Sequence, residues 1–480
     1  MSSLKEGSAT SSKLMQVETR SIDYVPLSER RGRVWHQAPF WFTGNFNFFT
    51  IAIGFVGPSQ GLSFGYTCLA SIFGILFGTI FMALHASQGP DVGLPQMVQS
   101  RAQFGFRGAL VPLAATLFTF LTFNVVDTLL VSQGFATLWG INTVVSSISL
   151  AVAAILLAIY GYHWLHKVFR VLFWISLPGY AALSVAILLG YIHARGAPAG
   201  VGLAWPAFAA QFAITASYNI TFAPYVSDYT RYLRPTGSRG LLLASVYVGA
   251  GSSAIWLIVL GAWLAINLGA NDGMAAVRDA GDQLYPGLGV ALVSVSVVAL
   301  AAAMSLNAYS GMLTLATALD TFKRMRPTRT LRVTCITILG VVWLGVAGTL
   351  GGGAVGALYL GLSAMLYLLT PWSAINLVDY FIVRKRKYAI KQLFASDGMY
   401  GRWSPHGLSA YAIGFMAGVP FFVLPGLYIG RVAPLVGGAD LAWIPELCVS
   451  GVLYYILMRR RDYTNEWQTA EAELLAIEAV

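Results

Sequence analysis

Charge is scarce in this chain of 480 residues: Asp, Glu, Lys and Arg make up 10%, against 57% hydrophobic residues. Soluble domains carry about 25% and 45–50% respectively, so a fold that turns its surface to water, or a separate soluble domain, is excluded. Cysteine is equally sparse. Cys68, Cys335 and Cys448 sit in or beside different apolar stretches and show no metal-site spacing, which argues against both a disulfide framework and a thiolate metal centre. Histidine supplies no substitute. His163 and His166 are spaced i, i+3 without a third ligand nearby, and His36, His85, His193 and His406 fall near the ends of apolar stretches or in loops. A membrane-embedded enzyme would need a nucleophile–base pair or a metal cluster at depth, and neither is present. The first 40 residues lack the short apolar core and small-residue cleavage site of a removable signal peptide. The first apolar stretch is therefore expected to direct insertion.

What the chain has in abundance is long apolar runs. Twelve stretches, near 41–60, 64–85, 109–138, 142–160, 169–193, 203–226, 241–268, 287–318, 332–350, 352–382, 408–430 and 439–458, approach or exceed the roughly 20 helical residues needed to cross a hydrocarbon core of about 30 Å. The expected fold class is thus an all-α integral membrane protein with 12 transmembrane helices. Of the 30 lysines and arginines, 27 fall on alternate connections and tails, and only Arg195, Arg278 and Arg431 fall on the others. Lys/Arg-rich loops stay in the cytoplasm, so both termini are expected inside the cell membrane. The net charge of +10 is spread over these loops and tails. It marks topology beside anionic lipid rather than a nucleic-acid partner.

Two stretches are interrupted. Gly54-Phe55-Val56-Gly57-Pro58 lies past the middle of the first, and Thr221-Phe222-Ala223-Pro224 late in the sixth; glycine weakens a helix and proline removes an amide donor. The first and sixth stretches open two successive sets of five. Matched broken helices at corresponding positions point to a transporter with inverted repeats and a midplane site, where freed backbone groups line a polar cavity. Coincident proline kinks are the alternative.

Asp127, near the centre of the third stretch, is the acid read as lying deepest. A carboxylate there costs about 2.5–3.5 kcal/mol on insertion scales. Three readings stand: a protonated acid that titrates during work, a carboxylate that binds a donor on a solute, or a structural hub. Asn124 lies one turn away on the same face. In the eighth stretch Asn307, with two donors and an acceptor, suits the edge of a heterocycle; gluing two helices together is its other reading. Phe55, Phe123, Tyr218 and Phe222 lie near the breaks, where a flat ring would find stacking partners. Gly74 and Gly78 form a small-xxx-small pair that fits packing within one chain or between two.

Trp205 to Arg234, closing on Val226-Ser227-Asp228-Tyr229-Thr230-Arg231-Tyr232-Leu233, resembles the sixth helix of the nucleobase:cation symporter-1 family, the purine-cytosine permeases and their relatives. Pro371-Trp372-Ser373-Ala374-Ile375-Asn376-Leu377-Val378-Asp379-Tyr380-Phe381 resembles that family's second signature, and Gly93-Leu94-Pro95-Gln96-Met97 with Arg101, Phe104-Gly105, Gly108 and Pro112 also fits. The resemblance runs from about residue 30 to 460. It implies a LeuT-type core of two inverted five-helix repeats (about 41–193 and 203–382), with helices 11 and 12 after a cytoplasmic loop (383–458). Cytoplasmic tails (1–40 and 459–480) complete the chain. It further implies cation-coupled import of a nucleobase such as cytosine or a purine, with other solutes such as vitamin precursors, allantoin or hydantoins as the alternative.

Carried over by position, the solute-binding residues are Gly54, Phe55, Asn124, Asp127, Tyr218, Asn219, Thr221, Phe222 and Asn307, and the cation-coupling residues Asp127, Ile51 and Gly54. Asp127 departs from the fungal cytosine-purine branch, where the resemblance places an asparagine, and this leaves the solute open. Sodium-coupled members use adjacent hydroxyls in the eighth helix; here Ser294 and Ser296 are not adjacent. A co-transported proton is therefore expected ahead of sodium, with no bound cofactor. Oligomeric state is not encoded in any recognisable feature.

Overall fold

A computed structural model describes residues 20–195, 202–235, 238–270, 272–325, 328–350 and 353–478. The first 19 residues of the N-terminal tail, the last two of the C-terminal tail and the side chain of His163 lie outside this description. The first apolar stretch forms α1 (Gln37–Gly44), α2 (Phe48–Ile53) and α3 (Val56–Ser59), followed by α4 (Phe64–Ala86), α5 (Gln88–Val92), α6 (Gln96–Phe104), α7 (Leu110–Trp139), α8 (Thr143–Tyr160) and α9 (Tyr162–Leu188). The sixth stretch forms α10 (Trp205–Ile220) and α11 (Ala223–Thr230). Then come α12 (Arg239–Asn267), α13 (Gly273–Leu284), α14 (Leu288–Asp320), α15 (Arg329–Thr349), α16 (Ala354–Val378), α17 (Pro405–Gly418), α18 (Trp443–Met458) and α19 (Thr464–Glu478). Among the described residues, eight helices are long and apolar enough to cross a membrane. Val144, Trp174, Leu188 and Val341 point outward from three of them, as lipid-facing side chains do.

Helix ends follow local chemistry. Asn142 accepts hydrogen bonds from the amides of Val144 and Val145 and so caps α8, while Ser238 and Thr328 cap α12 and α15. Close crossings are set by small residues. A Cβ on Gly74 would overlap Thr215 Oγ1 and on Gly78 the carbonyl of Ala216, so this pair packs α4 on α10 within the chain. Gly249 meets the backbone of Ala38 in the same way and holds α12 against α1.

Two expectations, on the first and eleventh stretches, need correction. The first stretch is unwound chiefly at Asn45–Asn47, ahead of the glycine–proline segment: Asn47 is extended (φ −150°, ψ 178°) and its side chain caps α2 through Thr50 N. Gly54 and Phe55 keep helical angles and only tighten the ladder to i→i−3 bonds, at 3.0 and 3.1 Å. Pro58 falls in the single turn of α3, where few amide donors are needed. The eleventh stretch is helical only to Gly418 and a short 3-10 turn to Phe421. It then forms a minimal hairpin, β1 (Val423–Leu424) with β2 (Tyr428–Ile429), around Pro425 and Gly426 (φ +79°). Pro-Gly sets a turn where hydropathy alone reads a continuous helix. The 86–108 connection is a shaped turn, with Gly93 and Gly105 at positive φ on either side of an α6 whose residues are all buried. Helix α19 occupies most of the C-terminal tail.

Candidate functional site

The break at Asn45–Asn47 and the turn at Thr221–Phe222 face the middle of α7 and α14. Gly44, Asn47 and Phe49 from the first stretch, Phe123 and Asp127 from α7, Tyr218 and Phe222 from the sixth, and Ala303, Leu306 and Asn307 from α14 enclose one cavity. Its free volume is about 10 Å³, room for one water and no ring. The aromatics fill it. Phe49 and Tyr218 stack at 5.5 Å with a 14° interplanar angle, and Phe123 and Phe222 lie 5.9 Å apart. Prising such pairs apart and inserting a flat ring replaces one stacking contact by two.

Polar groups converge on the same space. Asp127 is 2% exposed, and its Oδ1 has no hydrogen-bond partner. Buried polar atoms are nearly always bonded, so an orphaned carboxyl oxygen in an aromatic cavity requires an explanation. Asn307 is held from behind: its Nδ2 donates to Asn124 Oδ1 at 3.0 Å, Asn124 Nδ2 donates to the carbonyl of Met304 at 3.2 Å, and Tyr225 OH donates to Asn307 Oδ1 at 3.3 Å. One donor and one lone pair of the Asn307 amide remain for a ligand. Tyr218 OH shares a 2.7 Å hydrogen bond with Thr50 Oγ1, which also bonds the carbonyl of Asn45. The cavity wall is thereby tied to the unwound backbone.

The expected residues thus separate. Asp127, Tyr218, Phe222 and Asn307 line the cavity, and Asn124 stands one hydrogen bond behind it. Asn219 is turned away: it accepts from Asn45 Nδ2 at 3.0 Å and donates to Thr79 Oγ1 at 2.6 Å. Thr221 bonds back to the carbonyl of Tyr218 at 2.7 Å. Gly54 and Ile51 form the crossing with α12, because a Cβ on Gly54 would overlap the carbonyl of Ile258 and one on Gly261 the carbonyl of Ile51. Phe55 lines a different cavity of about 180 Å³ with Phe48, Ala52, Gln133 and Asp272. Asn47, Phe49, Thr50 and Tyr225 escaped the sequence reading. The signal for Asn47 is an asparagine three residues before Thr50 inside an aromatic run, which is the pattern of an N-cap.

The motif Val226–Leu233 that closes the first signature, and the second signature, lie elsewhere. Ser227 and Thr230 donate to the carbonyls of His85 and Ala86, and Asp228 accepts from Gln96 N. From the other side Trp372 donates to Ser100, while Asn376 accepts from Gln88 and Asp379 from Gln103. Both signatures therefore clamp the segment that runs from the end of α4 through α6.

Residues 24–444 match the family described as permeases for cytosine/purines, uracil, thiamine and allantoin. YxlA of Bacillus subtilis (strain 168), named among the purine-cytosine permeases, is 35% identical over 453 residues, 93% of this chain and 97% of that protein. The chain belongs to this permease family. It is accordingly a multi-pass membrane transporter, not an enzyme. The permease is also 26% identical to the purine-cytosine permease FCY21 of Saccharomyces cerevisiae over 296 residues, 56% of this chain and about half (51%) of that protein. In fold it is similar to Mhp1, a nucleobase-cation-symport-1 family transporter solved in a closed conformation with bromovinylhydantoin bound. The TM-score is 0.73 and the identity 19%, covering 97% of this chain and 99% of Mhp1. The inward-facing conformation of Mhp1 gives a TM-score of 0.69.

Proposed function

We propose that this permease imports a nucleobase-class heterocycle, cytosine or a purine, into the cell together with a proton. The observation that carries this reading is the partnerless carboxyl oxygen of Asp127 beside the half-free amide of Asn307, between two pairs of aromatic rings. A ring bearing adjacent N–H and C=O groups satisfies both side chains and stacks between the aromatics. All twelve apolar stretches cross the bilayer, ten of them as two inverted sets of five, with both termini in the cytoplasm and the protein in the inner membrane. Opening of the first and sixth stretches around the site supplies alternating access. Asp127 carries the proton, and Ile51 and Gly54 transmit its effect through their crossing with α12.

Reconstituted permease tests this with labelled cytosine, adenine, uracil, allantoin and a hydantoin, under an imposed pH gradient or sodium gradient. The expected result is accumulation of a nucleobase driven by the pH gradient, lost in Asp127→Asn and reduced in Asn307→Ala while both variants reach the membrane. Accumulation of allantoin or hydantoin alone replaces the solute, a sodium-only drive replaces the ion, and unchanged uptake in both variants removes the site.

A further inference from the structure

Asp127 is not the only buried acid without a partner. Glu446, on the first turn of α18, is fully buried, and neither carboxyl oxygen has a hydrogen-bond partner. Ser450, one turn further along the same face, is also fully buried with a partnerless Oγ. Both fit into gaps left by glycines of α17. A Cβ on Gly418 would lie 2.6 Å from Glu446 Oε1, and one on Gly414 would overlap Ser450 Oγ. Asp440, 1% exposed, lies within electrostatic reach of Glu446. It accepts from Tyr367 OH of α16 at 2.6 Å and from Ala442 N at 3.3 Å.

The titratable groups that bear on this pair are Tyr411 from α17, against Glu446, and Tyr359 and Tyr367 from α16, against Asp440. None of them is a base. Among the described residues no Lys, Arg or His forms an ion pair with either acid. Two buried carboxyls without a cation of the protein's own repel each other and need positive charge from outside. Among the described residues no third acidic, His or Cys side chain joins them, so the ligand set is too small for a divalent metal.

We propose that Glu446, with Asp440 and Ser450, forms a second site for a monovalent cation, held as H⁺ or as Na⁺, between α16, α17 and α18. It is separate from Asp127 and does not depend on the transport reading. Trp443, one turn before Glu446, packs on Phe77 of α4 at 4.8 Å and on Phe212 of α10 at 5.5 Å, so charge at this site is felt by helices of the transport core.

Two measurements on the purified full-length protein separate the sources: binding of radioactive sodium at alkaline pH, and the infrared C=O band of a protonated carboxylic acid. Wild type and Asp127→Asn are expected to share one of the two signals, and Glu446→Gln to lose it. If Glu446→Gln does not fold, Ser450→Ala serves in its place and is expected to weaken that binding roughly tenfold, the loss of one charge-assisted contact. Neither signal at Glu446 in the wild type, or the same signal in wild type and Glu446→Gln (or wild type and Ser450→Ala), overturns the proposal.

Discussion

At the scale of single residues, three asparagines that look alike in the sequence take three different positions. Asn307 borders the cavity, Asn124 fixes its amide from behind, and Asn219 ties the unwound backbone at Asn45 to Thr79. These positions predict different phenotypes. Asn124→Ala removes one neutral hydrogen bond, worth about 1 kcal/mol, and lets the Asn307 amide rotate. It is expected to raise the KM for the transported solute roughly 5-fold with the unfolding temperature little changed. Asn219→Ala takes one of two acceptors from the buried Nδ2 of Asn45, which keeps the carbonyl of Ala250, and the donor from Thr79 Oγ1, which keeps the carbonyl of Ile75, so it is expected to lower the unfolding temperature and leave the KM of the surviving protein near wild type. Uptake kinetics and thermal unfolding of the two variants check this; interchange of the two phenotypes would place Asn219, rather than Asn124, beside the solute. The sequence shows that amides lie at depth but not which way they face. A rotation of one position around a helix exchanges cavity for neighbour, and the third-helix register depends on that choice.

At the scale of elements, Gly54 belongs to a helix crossing rather than to the cavity. Its Cα sits against the backbone of Ile258, Gly261 and Ala262, and Gly261 returns the contact to Ile51. A methyl group there meets backbone that has little freedom to move. Gly54→Ala is expected to cost about 1–3 kcal/mol of stability, the usual penalty of overpacking, measured by thermal unfolding in detergent; a wild-type unfolding temperature would show that α2 and α12 separate freely. Gly61, with nothing within 4 Å of its Cβ position, makes a poor comparison because its φ is +79°; Gly65, equally open and without positive φ, is the proper control. Long helices such as α7, α12 and α14 were legible from hydropathy alone, since lipid leaves a continuous apolar run few alternatives to a helix. The ends of the chain's apolar runs were less so. Pro425-Gly426 turns the eleventh stretch into a hairpin, and Asn45–Asn47 unwinds the first through capping by Asn47. Neither changes mean hydropathy. Glu446 was passed over: it stands in the first half of the twelfth apolar stretch, on the first turn of α18, where an acid can still reach water, and only the packing of α17 shows that it does not.

At the scale of the whole molecule, a charged knot at one end of the bundle joins the second signature to the C-terminal helix. Arg384 is 1% exposed and pairs with Asp379, with Glu466 of α19 at 2.7 Å and with Tyr454 OH of α18 at 3.3 Å. Its carbonyl accepts from Trp467 Nε1 at 3.2 Å. Burial alone lowers the pKa of the guanidinium, but Asp379, Tyr454 and Glu466 outweigh it and hold Arg384 above the usual range, so it stays charged at any pH of use. Asp379 in turn accepts from Gln103 of α6 and from Tyr388, and one arginine thereby connects α6, α16, α18 and α19. Removing one member of a buried ion pair leaves its partner charged and desolvated, a loss of about 3–5 kcal/mol. Arg384→Ala is therefore expected to unfold at a clearly lower temperature than wild type. Lys387→Ala tests the contrast, because its 2.6 Å bridge to Glu471 is 47% and 64% exposed, and such pairs contribute about 0–1 kcal/mol. Glu466→Gln should fall between the two, since it keeps the shape of the contact with α19 and loses one of two counter-charges. Thermal unfolding of the three purified variants against wild type settles the order. Equal unfolding temperatures for Arg384→Ala and Lys387→Ala would show that α19 is an appendage, and that the signature at Asp379 closes on the bundle without it.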